Sequence, residues 1–273
     1  MSISYMEKTQ EEQRVWLIEK LKAENPVYRK IPTPGDEQGQ KDLLRSLMNV
    51  RQAKPVSEEF RSIQDAYLRR ENMLRGIVDI SAIPACESDP RLSIWQGDIT
   101  RLKVDVIVNA ANSQMQGCFI PLHGCIDNCI HTYAGVQLRL DCADRMRKLR
   151  LEHGDDYEQP TAVPMLTDAY DLPARKVIHI VGPIVQFGLT AGLERNLTDC
   201  YKNVLDMCLE NGIRSVAFCC ISTGVFHFPN QRAAEIAVET VRTWLAEHGD
   251  ALDRVIFNVW KDIDLEIYRE LLA

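Results

Sequence analysis

The sequence predicts an α/β domain, with a sheet covered by helices on both faces, preceded by a helical N-terminal extension. Two observations carry this. From Gly76 onward, short apolar runs alternate with longer helical ones. Before that point apolar residues recur only at helical intervals, with no strand-like alternation.

The extension spans residues 1–75. Thr9 with Glu12 forms a capping-box pattern, and Val15, Leu17, Ile18 and Leu21 follow at helical spacing until Asn25-Pro26 stops the run. The stretch "IPTPGDEQGQ" reads as a break. Leu43, Leu44, Leu47 and Met48 predict a second helix, and Ser57 caps a third carrying Phe60, Ile63, Tyr67 and Leu68.

The main domain spans 76–273. "GIVDI", "SIWQGDI", "VDVIVNA", "KVIHIVG", "SVAFCCIS" and "RVIFNVW" read as strands, and the stretches near 127–150, 193–211, 230–248 and 262–272 as helices. No internal repeat or low-complexity segment interrupts either part.

Hydrophobic residues at 45% and charged residues at 26% match an ordinary soluble globular protein. The start, "MSISYMEKTQEEQRVW", lacks a basic segment followed by an apolar run, and no later stretch approaches a membrane span. A cytoplasmic protein with no membrane partner is therefore expected. A net charge of −7 without a Lys/Arg stripe argues against a nucleic-acid partner, so a phosphate-bearing ligand must be held by amides. Nine cysteines in a reducing compartment imply thiols that are buried, reactive or metal-bound rather than paired.

Polar residues at the carboxyl ends of strands mark the ligand site of open α/β sheets. Three such places stand out. "QGDIT" puts Asp98 after a strand, as a ligand contact or as a turn Asp bonding its own backbone. "VIVNAAN" ends a strand in Asn109 and Asn112 around two alanines, where the small residues allow close approach and Asn112 offers a donor and an acceptor. "CCISTGVFHFP" ends a strand in a Gly-containing loop that feeds a helix near Pro229, an arrangement whose free amides suit an anion. Its spacing does not match the dinucleotide or P-loop patterns.

Together and in this order, "GDIT", "VDVIVNAAN", "KVIHIVGP" and "STGVFHFP" resemble the macrodomain family over residues 76–273. The resemblance implies a three-layer α/β/α fold with a mixed sheet and a pocket for ADP-ribose. It implies that Asp98 and Ile99 contact the adenine end. Ser222, Thr223, Gly224, Val225 and Phe226 form the diphosphate loop, and Asn109 and Asn112 belong to the ADP-ribose site, with Asn112 on the distal ribose. The sequence departs from the commonest pattern at His227, where many members carry glycine, which leaves the loop conformation open.

Where ordinary macrodomains carry a run of glycines, this chain has "GCFIPLHGCIDN", which resembles the zinc-containing microbial branch. Cys118, His123 and Cys125 form a C-x4-H-x-C cluster that one loop can wrap around a tetrahedral ion, with the fourth position left to water or substrate. One zinc ion per chain is expected. Cys129, one helical turn after Cys125, could replace a cysteine ligand or close the site as a fourth but is preferred as a core residue; Cys219 and Cys220 are read as packing, and His131 and His179 as hydrogen-bonded structural histidines. Trp260 ends a strand and is either core or a platform for adenine.

The resemblance implies a zinc-dependent hydrolase that removes mono-ADP-ribose from a modified protein side chain, with Asn112 and Asp127 in catalytic roles. It points to an ester at an acidic residue, and to a lipoyl-carrier protein modified by a sirtuin-type transferase as the protein partner. The alternatives are a non-catalytic ADP-ribose reader and a zinc that merely staples the loop.

Overall fold

The computed structural model describes residues 8–273. Residues 1–7 of the expected extension lie outside the described residues.

Four apolar runs form the middle of the sheet: β4 (Val106–Ala111), β6 (Lys176–Val181), β7 (Ser215–Phe218) and β8 (Arg254–Val259). Their near-continuous burial is what a sheet covered on both faces demands. The edges are β2 (Leu92–Gln96) and β5 (Met165–Asp168), giving the order β2-β8-β7-β4-β6-β5. All neighbours are parallel except β5, which runs antiparallel to β6. A separate parallel pair joins β1 (Val78–Asp79) to β3 (Leu102–Lys103).

The helices α4 (Ile126–Ala134) and α5 (Val136–His153) pack on β4 and β5. The others, α6 (Ala191–Glu210), α7 (Asn230–His248) and α8 (Asp262–Leu272), pack side by side and cover β6, β8 and β2. The result is the three-layer α/β/α arrangement with a mixed sheet that the resemblance implies. No helix among the described residues is long and apolar enough to cross a membrane.

The extension folds as α1 (Gln10–Ala23), α2 (Glu37–Val50) and α3 (Glu58–Leu74). The Thr9–Glu12 capping box closes as expected, and Asp36 and Ser57 cap α2 and α3. Leu17, Ile18, Leu21, Leu44, Leu47, Phe60, Ile63 and Tyr67 form a separate hydrophobic cluster, joined by Val136 from α5. The extension therefore packs directly against the helices that follow β4.

Three expectations need correction. The stretch 127–150 is two helices, because Gly135 sits at φ +90° and a side chain there would meet the Gln64 amide at 2.5 Å. The Gln64 side chain accepts from the Val136 N–H at 3.0 Å instead, so α3 supplies a cap for α5. "SVAFCCIS" pairs only as far as Phe218, and the remainder turns away to line a cleft. Strand β5, "MLTD", carried too little apolar periodicity to be read, as suits a four-residue antiparallel edge.

Asp171 joins the extension to the sheet. Its carboxyl group accepts from Arg69 Nε at 3.1 Å, and its backbone carbonyl accepts from Asn72 Nδ2 at 2.8 Å. Burial, reinforced by the nearby Asp65, raises its pKa to about 8. The folded state thus binds this proton more tightly than the unfolded chain, and stability must fall as pH rises from about 4 to about 8. Replacing Asp171 by asparagine removes that slope. Thermal melts are expected to show the Asp171→Asn variant gaining on wild type by roughly 6 °C between pH 5 and pH 8. Parallel melting curves for the two proteins would contradict this account.

Candidate active site

The carboxyl ends of β2, β8, β7 and β4 open onto one cleft of about 610 Å³, a volume suited to a nucleotide-sized ligand. Because these strands are neighbours, their trailing loops lie along the cleft in the same order.

At the β2 end stand Asp98 and Ile99. Asp98 caps a 3₁₀ turn, with Oδ1 accepting from the Thr100 N–H at 3.0 Å and from its hydroxyl at 2.6 Å. Its other oxygen takes a guanidinium N–H of Arg75, which also stacks 3.4 Å over Tyr133. The turn role and the cleft position therefore coexist. Beyond β8, Trp260 and Lys261 line the cleft, with Trp260 71% exposed rather than in the core.

The loop after β7 contributes Cys219, Cys220 and Ser222 through Phe226. Ser222 and His227 are both left-handed, at φ +66° and +57°. His227 thus adopts the conformation that a glycine would take there. Hydrogen bonds fix the loop: Phe228 N–H to Ser222 O at 3.0 Å, His227 N–H to Gly224 O at 3.1 Å, and Val185 N–H to Phe226 O at 2.9 Å. Gly182 is required beneath it, since a Cβ would lie 2.1 Å from Ser222 Oγ. Helix α7 follows with Pro229 at its N-cap and no side-chain cap, which leaves amides for an anion.

At the β4 end, Asn112 and Asp127 line the cleft. Asp127 lies in the first turn of α4, and Asn112 Nδ2 donates to its Oδ2 at 3.4 Å. Burial raises the Asp127 pKa to about 6, against the lowering effect of Asn109 and Arg139. Asn109 itself is a correction. It is fully buried and absent from the cleft lining, and its Nδ2 lies 2.8 Å from Asp127 Oδ1 and 3.0 Å from His179 Nδ1. In a parallel strand successive side chains face opposite ways, so residues 109 and 112 do not share a face. Asn109 positions Asp127 rather than meeting a ligand.

Cys118, His123 and Cys125 converge beside Asp127, with their ligand atoms within 4.8 Å of one another. Cys118 Sγ is 3.4 Å from His123 Nδ1, and Cys125 caps α4 by accepting from the Asn128 N–H at 3.4 Å. The thiols are not joined in a disulfide. Burial, with Cys118 close by, pushes the Cys125 thiol up to about 12. Two thiols and an imidazole whose ligand atoms cluster this closely fit a divalent cation, which deprotonates its thiol ligands.

Cys129 also needs correction. It is half-buried, lines the cleft and sits outside the donor group, with Arg45 Nη2 3.6 Å from its Sγ. Helical side chains tilt toward the N-terminus, which carries Cys129 back toward the loop. His179 is hydrogen-bonded as expected, to Asn109 and to Thr167 at 3.0 Å. His131 differs: both ring nitrogens are buried without a hydrogen-bond partner, and Asp127 is 3.5 Å away. Burial holds both imidazoles neutral, His179 down to about 3.

Sequence reasoning missed Arg45, Asn49, Arg75 and Arg139, which hold the site from behind. The available signal was Asn49, a polar residue directly after the apolar positions 44, 47 and 48 of α2. A buried amide on such a stripe must have a partner.

Residues 108–237 match the family model described as Macro domain. A protein-ADP-ribose hydrolase of Treponema medium is 48% identical over 97% of this chain and 100% of its own length. A Staphylococcus aureus protein of the same name is 41% identical over 93% of each chain. The solved macrodomain of Trypanosoma brucei in complex with ADP-ribose superposes with a TM-score of 0.63 at 30% identity, covering 84% of this chain and 95% of that one. Fold, cleft and sequence agree, and the chain belongs to the macrodomain family.

Proposed function

We propose that this chain is a zinc-dependent protein-ADP-ribosyl hydrolase, releasing mono-ADP-ribose from an ester on an acidic protein side chain. The observation that carries the proposal is the order of groups along the cleft. A carboxylate and an exposed indole stand at one end, an amide-rich loop in the middle, and Asn112, Asp127 and a thiol–imidazole donor set at the other. That order matches adenine, diphosphate and distal ribose in sequence.

Asp98 accepts from the adenine amino group with its remaining acceptor capacity, and Trp260 offers a face for stacking. The amides of residues 222–226 and the N-terminus of α7 receive the diphosphate, so an acidic protein needs no arginine cluster there. Asn112 orients the distal ribose.

Asp127, with Oδ1 bonded to Asn109, directs its other oxygen toward Asn112 and the cleft. There it orients a water and takes its proton as the ester is cleaved, leaving ADP-ribose and a free carboxyl on the protein. A zinc ion held by Cys118, His123 and Cys125 supplies Lewis acidity at that end, moderated because two thiolates cancel its formal charge. With Cys129 outside the donor group, the site is open in the way a reacting centre needs and a purely structural zinc does not. A lipoyl-carrier protein modified by a sirtuin-type transferase is the proposed partner. The Treponema medium and Staphylococcus aureus relatives, named protein-ADP-ribose hydrolases, support the reaction class.

Wild-type protein is expected to carry one zinc per chain by elemental analysis. Cys125→Ala is expected to lose the metal and about 100-fold in turnover or more, while keeping ADP-ribose binding by calorimetry within a few-fold. Full turnover by a verified zinc-free sample would remove the metal from the reaction.

Asp127→Asn is expected to lower kcat by about 10²- to 10⁴-fold with a nearly unchanged ADP-ribose affinity. Substrates modified at acidic, serine and arginine side chains test the linkage, with release from the acidic ester alone expected. Tight ADP-ribose binding with no release from any of the three would instead establish a reader.

A further inference from the structure

The loop that carries Cys118 and His123 is shaped from outside itself. Leu122, between the two donors, is left-handed at φ +57°, a backbone conformation that disfavours a branched side chain. It is 43% exposed, so packing does not impose that conformation. A hydrogen bond does: the Leu122 N–H donates to Asn49 Oδ1 at 3.0 Å, and Asn49 Nδ2 is in turn fixed on Thr132 Oγ1 at 3.0 Å.

Arg45 works beside it. Its Nη2 donates to the His123 carbonyl at 2.8 Å and to Asn128 Oδ1 at 2.9 Å. That contact aims the Asn128 amide, whose Nδ2 donates to the carbonyls of Ile120 at 2.9 Å and Cys118 at 3.3 Å. The backbone of both loop donors is therefore held, directly or through Asn128, by side chains of α2. Arg45 and Asn49 are four residues apart, on one face of that helix.

We infer that α2 of the N-terminal extension is a working part of the metal site, with Arg45 and Asn49 as positioning residues that preset the spacing of the Cys118 and His123 donors. The extension then serves metal retention. It binds no zinc itself; it spares the loop the ordering that a metal would otherwise impose. The inference rests on the zinc reading above.

The test uses the full chain and zinc alone as the probe. Zinc affinity is measured by competition with a chromogenic chelator, and ADP-ribose affinity by calorimetry on the metal-free proteins. Arg45→Met and Asn49→Ala are each expected to weaken zinc by about 10- to 100-fold while metal-free ADP-ribose binding changes less than about threefold. Adding Leu122→Gly to Asn49→Ala is expected to recover part of the loss, because glycine takes the left-handed turn unaided. A purely structural role for Asn49 would give no such rescue.

Folded variants that keep wild-type zinc affinity overturn the inference. Arg45→Met, at a half-buried position, decides the question if Asn49→Ala does not fold. Wild-type protein that takes up no zinc, or a Cys118→Ala/Cys125→Ala protein that takes it up normally, shows that the metal reading itself has failed.

Discussion

One buried guanidinium, that of Arg139 on α5, ties the parts of this protein together. Its Nη1 donates to the carbonyls of Met48, Asn49 and Arg51 at 3.1, 2.8 and 2.5 Å, at the C-terminal end of α2. Its Nε donates to Gln116 O at 2.8 Å and its Nη2 to Cys118 O at 3.4 Å, in the loop that leads to the donors. The Phe119 ring lies 4.2 Å from its guanidinium carbon. The cation thus satisfies helix-end carbonyls that have no partner within their own helix, while also holding the Cys118 carbonyl. Burial lowers its pKa only to about 10, so it stays charged at any physiological pH. No neutral side chain offers as many donors in one plane, so a single residue of α5 can bond the extension and the loop together.

Much of the fold was legible in the sequence because its signals are local. β4, β6 and β8 are apolar runs whose burial leaves no alternative, and Thr9, Ser57 and the helical stripes of the extension announce themselves within one turn. What was not legible depends on distant partners. The break at Gly135 follows from Gln64 of α3, and β5 exists because β6 offers an edge. The site divides the same way. The strand-end motifs could be read from their order, whereas the inward face of Asn109 and the cleft face of Cys129 depended on strand and helix phase.

The cleft separates two kinds of electrostatic work. Its middle presents backbone amides and a helix end, whose partial charges are fixed by the fold and need no counter-charge elsewhere. At the β4 end, ionisable groups are crowded into a dry environment: Asp127 against two asparagines, with neutral His131 and His179 behind. Neutral imidazoles add no charge to the core, so the Asp127 carboxyl answers chiefly to its burial, Asn109 and Arg139. Fixed backbone dipoles and titratable side chains are thus kept to different parts of the cleft.

The loop after β7 holds a conformation that its residues do not prefer. Ser222 and His227 both occupy left-handed conformations, each costing on the order of 1 kcal/mol for a non-glycine residue. A free loop of this sequence would relax out of them. Two backbone hydrogen bonds within the loop, a third from Val185 in the segment after β6, all at 2.9 to 3.1 Å, and the close approach of Gly182 prevent it. The same logic governs Leu122 in the donor loop, where Asn49 enforces the strained turn. In the middle of the cleft and at its β4 end, a conformation that the local residues disfavour is held by hydrogen bonds and close packing, and both loops carry residues that line the cleft.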